Sequence, residues 1–170
     1  MPDDKLEKNK QIVRRMLEAF NKGDTGKVKE LIHPQIRDKS SKLGLDPATR
    51  RSPTVERVQK EIRLEKDAFP DQVFREEFCM AEGDTVVLRW SMTGTHKGKL
   101  LGRPATGKKV RTFGTEFVRI QDGKIIEHDD DAGHVLDILG QLDMLTPELL
   151  RGPEMKHETK EERGDVPPDR

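Results

Sequence analysis

The sequence predicts an α+β fold in which helices pack on one face of a curved antiparallel sheet. Two observations indicate the elements: apolar residues recur at helical spacing before Pro70, and they alternate with polar residues after it. A third observation concerns their order, because the helical and alternating parts are segregated along the chain. Segregated elements of this kind are expected to place the helices on one side of the sheet.

Three helices are predicted in the first part of the chain. Residues 6–21 carry an apolar stripe and end at Gly23 and Asp24, and residues 27–32 form a short helix that Pro34 ends. Residues 35–51 are polar and are expected to form a long loop. The pair Ser52-Pro53 is a start signal for the third helix. The apolar face of that helix consists of Val55, Val58, Ile62 and Phe69.

The second part of the chain alternates as strands do. Residues 73–80 and 85–96 are predicted strands around a turn at residues 82–84, and residues 97–108 are a loop. Residues 110–120 and 125–131 are expected to form a hairpin around Asp122-Gly123, followed by a helix over residues 134–142. One face of the strand over residues 85–96 carries Val86, Leu88, Trp90 and Met92.

The composition excludes several classes of function. The 170 residues hold 32 basic and 32 acidic side chains, and this balance argues against a nucleic-acid partner. The single cysteine, Cys79, excludes an internal disulfide, and the five histidines lack the spacing of a metal site. The charged amino terminus carries no apolar run, so we expect a cytoplasmic protein with no membrane contact.

The distribution of charge predicts one domain with polar ends. Residues 1–8 are expected to be a polar extension, residues 9–145 one folded domain, and residues 146–170 a polar, disordered tail. The tail has too few apolar residues to offset the entropy of ordering it.

A series of short strings links the predicted strands to a known family. These strings are Phe69-Pro70-Asp71, Glu82-Gly83-Asp84, Arg89-Trp90, Gly94-Thr95-His96, Thr106-Gly107-Lys108 and the run from Asp122 to Glu127. Over residues 9–142 the sequence resembles the SnoaL-like polyketide cyclases and predicted ester cyclases. The resemblance implies the nuclear transport factor 2-like cone, in which a strongly bent sheet and the helices enclose one deep apolar pocket.

The same resemblance implies a catalytic carboxylate at Asp130. In this family an aspartate of the last strand is the general acid/base of a cofactor-free intramolecular aldol ring closure. Such a carboxylate needs apolar surroundings, because desolvation makes it basic enough to take a carbon-bound proton. Alternation places His128 on the same strand face as Asp130 and places Asp129 on the other.

The register of the last hairpin decides what lies opposite Asp130. A three-residue loop over residues 121–123 places Gly114 opposite Asp130 and Glu116 opposite His128. A two-residue turn at Asp122-Gly123 places Thr115 and Phe117 there instead. We favour the first register because it gathers Glu116, His128 and Asp130 into one polar patch beside Val118 and Ile126.

The predicted site therefore has two parts. The catalytic residues are Asp130, Glu116 and His128, and the substrate-binding residues are Leu88, Trp90, Met92 and Val118. No metal or cofactor is predicted. Two positions depart from the family pattern: Asp129 stands where the family has tryptophan, and Lys39 stands where it often has histidine.

Three functions fit this site. The first is a cofactor-free enzyme of the SnoaL-like type that acts on a polyketide-like or other small carbonyl compound by enolate chemistry. The second is a binding protein for a small hydrophobic molecule, which the loss of the aromatic at Asp129 favours, and the third is a cofactor-free hydroxylase. The resemblance and the outer sheet face, with Val87, Arg89 and Ser91, also predict a homodimer.

Overall fold

The structure is a computed structural model that describes residues 2–38, 54–130 and 133–147. Within these ranges the chain forms α1 (Pro2–Lys22), α2 (Thr25–Leu31), β1 (Ile32–Asp38), α3 (Thr54–Ala68), β2 (Val73–Glu82), β3 (Thr85–Thr95), β4 (Lys109–Gln121), β5 (Lys124–Asp130) and α4 (Gly133–Gln141). Residues 35–38 of the predicted loop belong to β1 instead. The rest of that loop with Lys39, the start signal Ser52-Pro53 and residues 148–170 of the predicted tail lie outside the described residues.

The strands form one sheet with the order β1-β5-β4-β3-β2. Strands β2 to β5 pair in antiparallel fashion, as predicted, but β1 pairs with β5 in parallel, so the sheet is mixed. The sequence analysis missed β1 because Pro34 was interpreted as the end of a helix. An edge strand tolerates proline, since one row of its N–H groups has no partner strand.

The inner face of the sheet, defined as the face that carries Val86, Leu88, Trp90 and Met92, forms most of the core. These four side chains are at most 4% exposed, which confirms the predicted alternation of β3. Val118 of β4 and Ile125 of β5 continue the same buried layer, and helices α1 and α3 cover it with Val13 and Ile62. The outer face is the opposite one.

The first two helices follow local signals closely. Helix α1 begins at Pro2 rather than near Leu6, so most of the predicted polar extension is helical, and an ion pair between Lys8 and Asp4 at 2.7 Å supports its first turns. Asp24 caps α2, because its side chain accepts hydrogen bonds from the backbone N–H groups of Gly26 and Lys27.

The β4–β5 hairpin combines a two-residue turn with a bulge. Asp122 and Gly123 both have positive φ, and Gln121 pairs with Lys124 and Ile120 with Ile125. The register then shifts, so that Ile126 is an extra residue and Arg119 pairs with Glu127. The two-residue turn of the second alternative is therefore present, but the pairs predicted beyond Ile120 were wrong in both alternatives, because each assumed one continuous ladder.

None of the helices described here is both long enough and apolar enough to cross a membrane.

Candidate functional site

The bulge in β5 brings the three predicted catalytic residues to the inner face. After the shift Glu116 pairs directly with Asp130, and Val118 pairs with His128. The predicted grouping on one face is present, although its partners are offset by two residues from the favoured register. Asp129 pairs with Phe117 and is exposed on the outer face. Ile125, rather than Ile126, is the buried apolar neighbour.

Polar contacts link Trp90 of β3 to Glu116 of β4 and to His128 of β5. The indole Nε1–H of Trp90 donates to Oε1 of Glu116 at 3.0 Å, and Oε2 of Glu116 lies 3.9 Å from Nε2 of His128. Glu116 therefore has one oxygen oriented by a neutral donor and the other directed towards an imidazole. The carboxylate is held at the centre of the site.

Gly114 gives the Trp90 ring the space to reach Glu116. Gly114 pairs with Trp90 across the sheet, and a Cβ atom at this position would lie 2.2 Å from Cζ2 of the indole. Only glycine leaves room for the ring to lie across β4.

Aromatic rings extend the site away from the carboxylates. Trp90 makes edge contacts with Phe74 and His134, with ring centroids 5.2 and 5.1 Å apart respectively. Phe74 in turn packs on Phe20. These contacts join α1, β2, β3 and α4 around one buried indole.

Helix α3 supplies a second group of charged residues that the sequence analysis did not identify. Arg57, Glu61 and Glu65 recur at four-residue spacing and so lie on one helix face, and Nε of Arg57 lies 3.5 Å from Oε1 of Glu61. Glu61 is near enough to His128 and Asp130 for their charges to influence its titration. The signal in the sequence was a charged stripe beside the apolar face of Val58 and Ile62.

Burial changes the protonation of both α3 carboxyls. Desolvation raises the pKa of Glu61, and the positive charge of Arg57 partly opposes this effect. Desolvation also raises the pKa of Glu65 to about 8, helped by the negative charges of Glu61 and Glu116. Glu65 is therefore protonated at neutral pH, when the ordinary carboxyl is ionised.

Two carboxyl oxygens in this region are buried with no hydrogen-bond partner among the described residues. They are Oδ1 of Asp130 and Oε2 of Glu65. Buried polar atoms normally have partners, so each of these oxygens requires an explanation. Nearby, the side chains of Glu116 and His128 each remain 26% exposed.

The four predicted substrate-binding residues lie beneath or beside this polar group. Trp90 contacts Glu116 directly, whereas Leu88, Met92 and Val118 are each at most 2% exposed and pack within the core. Their contact with a ligand stays a prediction. Among the residues described, no three His, Cys, Asp or Glu side chains are arranged to hold a metal ion.

The sequence and the fold of this chain match those of known proteins. The family model for SnoaL-like polyketide cyclases matches residues 10–142. The chain belongs to the SnoaL-like polyketide cyclase family. This confirms the family identified from the sequence, and with it the α+β fold of the nuclear transport factor 2-like type.

Relatives within the SnoaL-like family include enzymes named as methyl ester cyclases. The chain is 35% identical to the aklanonic acid methyl ester cyclase of Streptomyces peucetius over 120 residues, which cover 70% of this chain and 80% of that enzyme. It is 32% identical to the nogalonic acid methyl ester cyclase of Streptomyces nogalater over 127 residues, covering 68% and 83%.

A solved structure has a similar fold. AclR of Streptomyces galilaeus, a candidate hydroxylase, superimposes with a TM-score of 0.68 at 28% sequence identity. The match covers 83% of this chain and 99% of AclR.

Proposed function

We propose that this protein is a cofactor-free cyclase that closes a ring in a polyketide-like ester by an intramolecular aldol reaction, with Asp130 as general acid/base. The observation that carries the proposal is the buried, unpartnered Oδ1 of Asp130 on the inner sheet face, beside Glu116 and His128. A base that takes a proton from carbon needs an oxygen that no protein donor already occupies.

The proposed reaction conserves its atoms and charge. The Asp130 carboxylate takes a proton from the carbon between two carbonyl groups, and the C–H electron pair becomes the double bond of an enolate. The enolate carbon attacks a second carbonyl group of the same molecule, which forms the ring C–C bond. Asp130 then returns its proton to the new alkoxide oxygen. His128 is proposed to stabilise the charge of Asp130 through these steps, and Glu116 is proposed to orient the imidazole of His128.

Access to Asp130 is proposed through a pocket between α3 and the β4–β5 hairpin. Glu116 and His128 keep about a quarter of their side-chain surface accessible, although they point to the face that the helices cover. Side chains in a filled core do not remain accessible in this way. Trp90 is proposed to form the aromatic wall of this pocket.

The charges of the site favour a neutral ester over a free acid. Glu61, Glu116 and Asp130 lie in this region beside the protonated Glu65, whereas Arg57 is the positive charge within contact of Glu61. A substrate carboxylate would be repelled at this place, and esterification removes its charge. The relatives named as methyl ester cyclases agree with this preference.

Replacing Asp130 tests the proposed mechanism. With aklanonic acid methyl ester as the substrate, Asp130→Asn is expected to lower kcat by roughly 10²–10⁴-fold, because the substitution keeps the shape and removes the proton-accepting group. The neighbouring variant Asp129→Asn is the matched control, and it should be nearly silent because Asp129 lies on the outer face. Product formation is followed by chromatography.

Three results would count against the cyclase. Equal rates for Asp130→Asn and the unmodified protein would remove Asp130 from the mechanism. Saturable binding of the ester without turnover would favour the binding protein, and oxygen incorporation without ring closure would favour the hydroxylase.

A further inference from the structure

Glu65 is a buried carboxyl that the reaction proposed above leaves unused. The side-chain amide of Gln72 donates a hydrogen bond to the Glu65 carboxyl group, which lowers the pKa of Glu65 but by less than burial raises it. Its Oε2 atom and the Oε1 atom of Gln72 are both buried, and neither has a hydrogen-bond partner among the described residues. Oε2 of an ionised Glu65 would be an acceptor with no donor beside it, whereas a protonated Glu65 has an O–H group that can donate to a ligand.

The charged and titratable groups around Glu65 favour this proton. Glu61 and Arg57 lie on its own helix, Glu116 faces it from β4, and His128 and Asp130 continue the same face on β5. His134 of α4 lies on Trp90, which is bonded to Glu116. The two carboxyls that act on Glu65 directly are Glu61 and Glu116, and an ionised Glu65 would add a third negative charge to them.

We propose that Glu65 is a substrate-contacting acid whose O–H group donates a hydrogen bond to the substrate carbonyl oxygen, on the opposite side of the ligand from Asp130. The inference rests on the proposed function. When Asp130 takes the carbon-bound proton, negative charge develops on that carbonyl oxygen. The Glu65 donor stabilises this charge and keeps its own proton, so no further reactant is needed. Two carboxyls in different surroundings thus divide the roles of acid and base.

Binding of a neutral ketone tests the donor without any need for turnover. The probe is methyl 9,10-anthraquinone-2-carboxylate, which offers ring carbonyl acceptors and has no ionisable group. Trp90, the single tryptophan of the chain, reports binding by its fluorescence. Between about pH 6 and about pH 9.5 the Kd should rise about tenfold, because Glu65, with a pKa of about 8, loses its proton and becomes a repulsive acceptor.

Two variants isolate the contribution of Glu65. Glu65→Gln keeps every other titrating group of the site, and its Kd should be nearly independent of pH. Glu56→Gln, on the exposed side of the same helix, should keep the pH dependence of the unmodified protein. A pH-independent Kd in the unmodified protein, the same dependence in Glu65→Gln, or no binding of the ketone at all would overturn the proposal.

Infrared spectroscopy gives a readout of the same proton that needs no ligand. The difference spectrum between the unmodified protein and Glu65→Gln at about pH 6 should contain the C=O band of a protonated carboxylic acid. Absence of this band would show that Glu65 is ionised and would overturn the proposal. Loss of activity in Asp130→Asn is measured by turnover, so failure of the cyclase proposal is distinguishable from failure of this one.

Discussion

At the scale of single residues, Glu65 couples the site to the stability of the fold. Its pKa is raised to about 8 in the folded protein and stands at the ordinary 4.5 of an exposed glutamate when unfolded. The folded state therefore binds the proton more tightly. The resulting stabilisation is fully present below about pH 4.5 and is lost as the pH rises through about 8.

Glu65→Gln should remove this dependence. We expect the variant to melt close to the unmodified protein at about pH 5 and at a higher temperature at about pH 9, because the amide does not have to ionise in the interior. Circular dichroism melting curves at several pH values measure the difference. A difference in Tm that stays constant across this range would contradict the raised pKa.

The positions of some site residues could be predicted from the sequence, and those of others could not. Alternation was enough to place His128 and Asp130 on one face and Asp129 on the other, because the side-chain period of a strand is local. Glu65 was not predicted, since a charged stripe on a helix normally faces water. Its neighbour Glu116 on β4 lies far away in the sequence, so the environment of Glu65 is not visible in the helix alone.

At the scale of elements, β3 and β4 position the indole as a pair. Gly114→Ala should force the Trp90 ring away from β4, because the new methyl group would overlap the six-membered ring. The expected results are a loss of about 1–3 kcal/mol in the free energy of unfolding and a red shift of the Trp90 fluorescence.

A second glycine of the sheet provides the control for this variant. Gly83 lies in the β2–β3 turn, where a Cβ atom would meet no heavy atom within 4 Å, although its φ of +60° disfavours alanine. Gly83→Ala should therefore lower stability without shifting the fluorescence. Unchanged fluorescence in Gly114→Ala would mean that the strand moves instead of the ring.

Some strands could be predicted from the sequence and others could not, for physical reasons. Strands β3 and β4 carry regular alternation and adjoin turns with Gly83 or Asp122-Gly123, so their places followed from the sequence. Strand β1 has few apolar residues, and its pairing with β5 is long-range. The hairpin register was missed because a bulge leaves no local mark in the Lys124–Asp130 segment.

At the scale of the whole molecule, the outer sheet face is unusually apolar for an exposed surface. Phe78, Phe117 and Met80 are 55%, 53% and 49% exposed, and the guanidinium of Arg89 lies 5.5 Å from the ring centroid of Phe113 on the same face. Exposed apolar residues that adjoin one another mark interaction surfaces more often than scattered ones do. We therefore propose that two copies of the chain associate through this face.

Phe117→Lys tests the proposed homodimer. The added charge should shift the protein from dimer to monomer at micromolar concentration, because an isologous interface places each substitution near its own copy. Light scattering coupled to size-exclusion chromatography gives the mass. Leu101→Lys, which changes an exposed leucine of the loop between β3 and β4, is the control and should leave the dimer intact. A monomeric unmodified protein would exclude the interface.

The bulge at Ile126 decides which carboxylate of β5 faces inward. If the full strand paired without a bulge, the ladder would continue from Ile120 and Ile125, and Asp129 rather than Asp130 would stand opposite Glu116. Deleting Ile126 itself would instead straighten the strand and leave Arg119 opposite Glu127 and Glu116 opposite Asp130. In a lineage of such proteins, a three-nucleotide deletion at this codon would therefore keep the inward carboxylate, whereas an insertion that the strand absorbed without a second bulge would exchange its two faces.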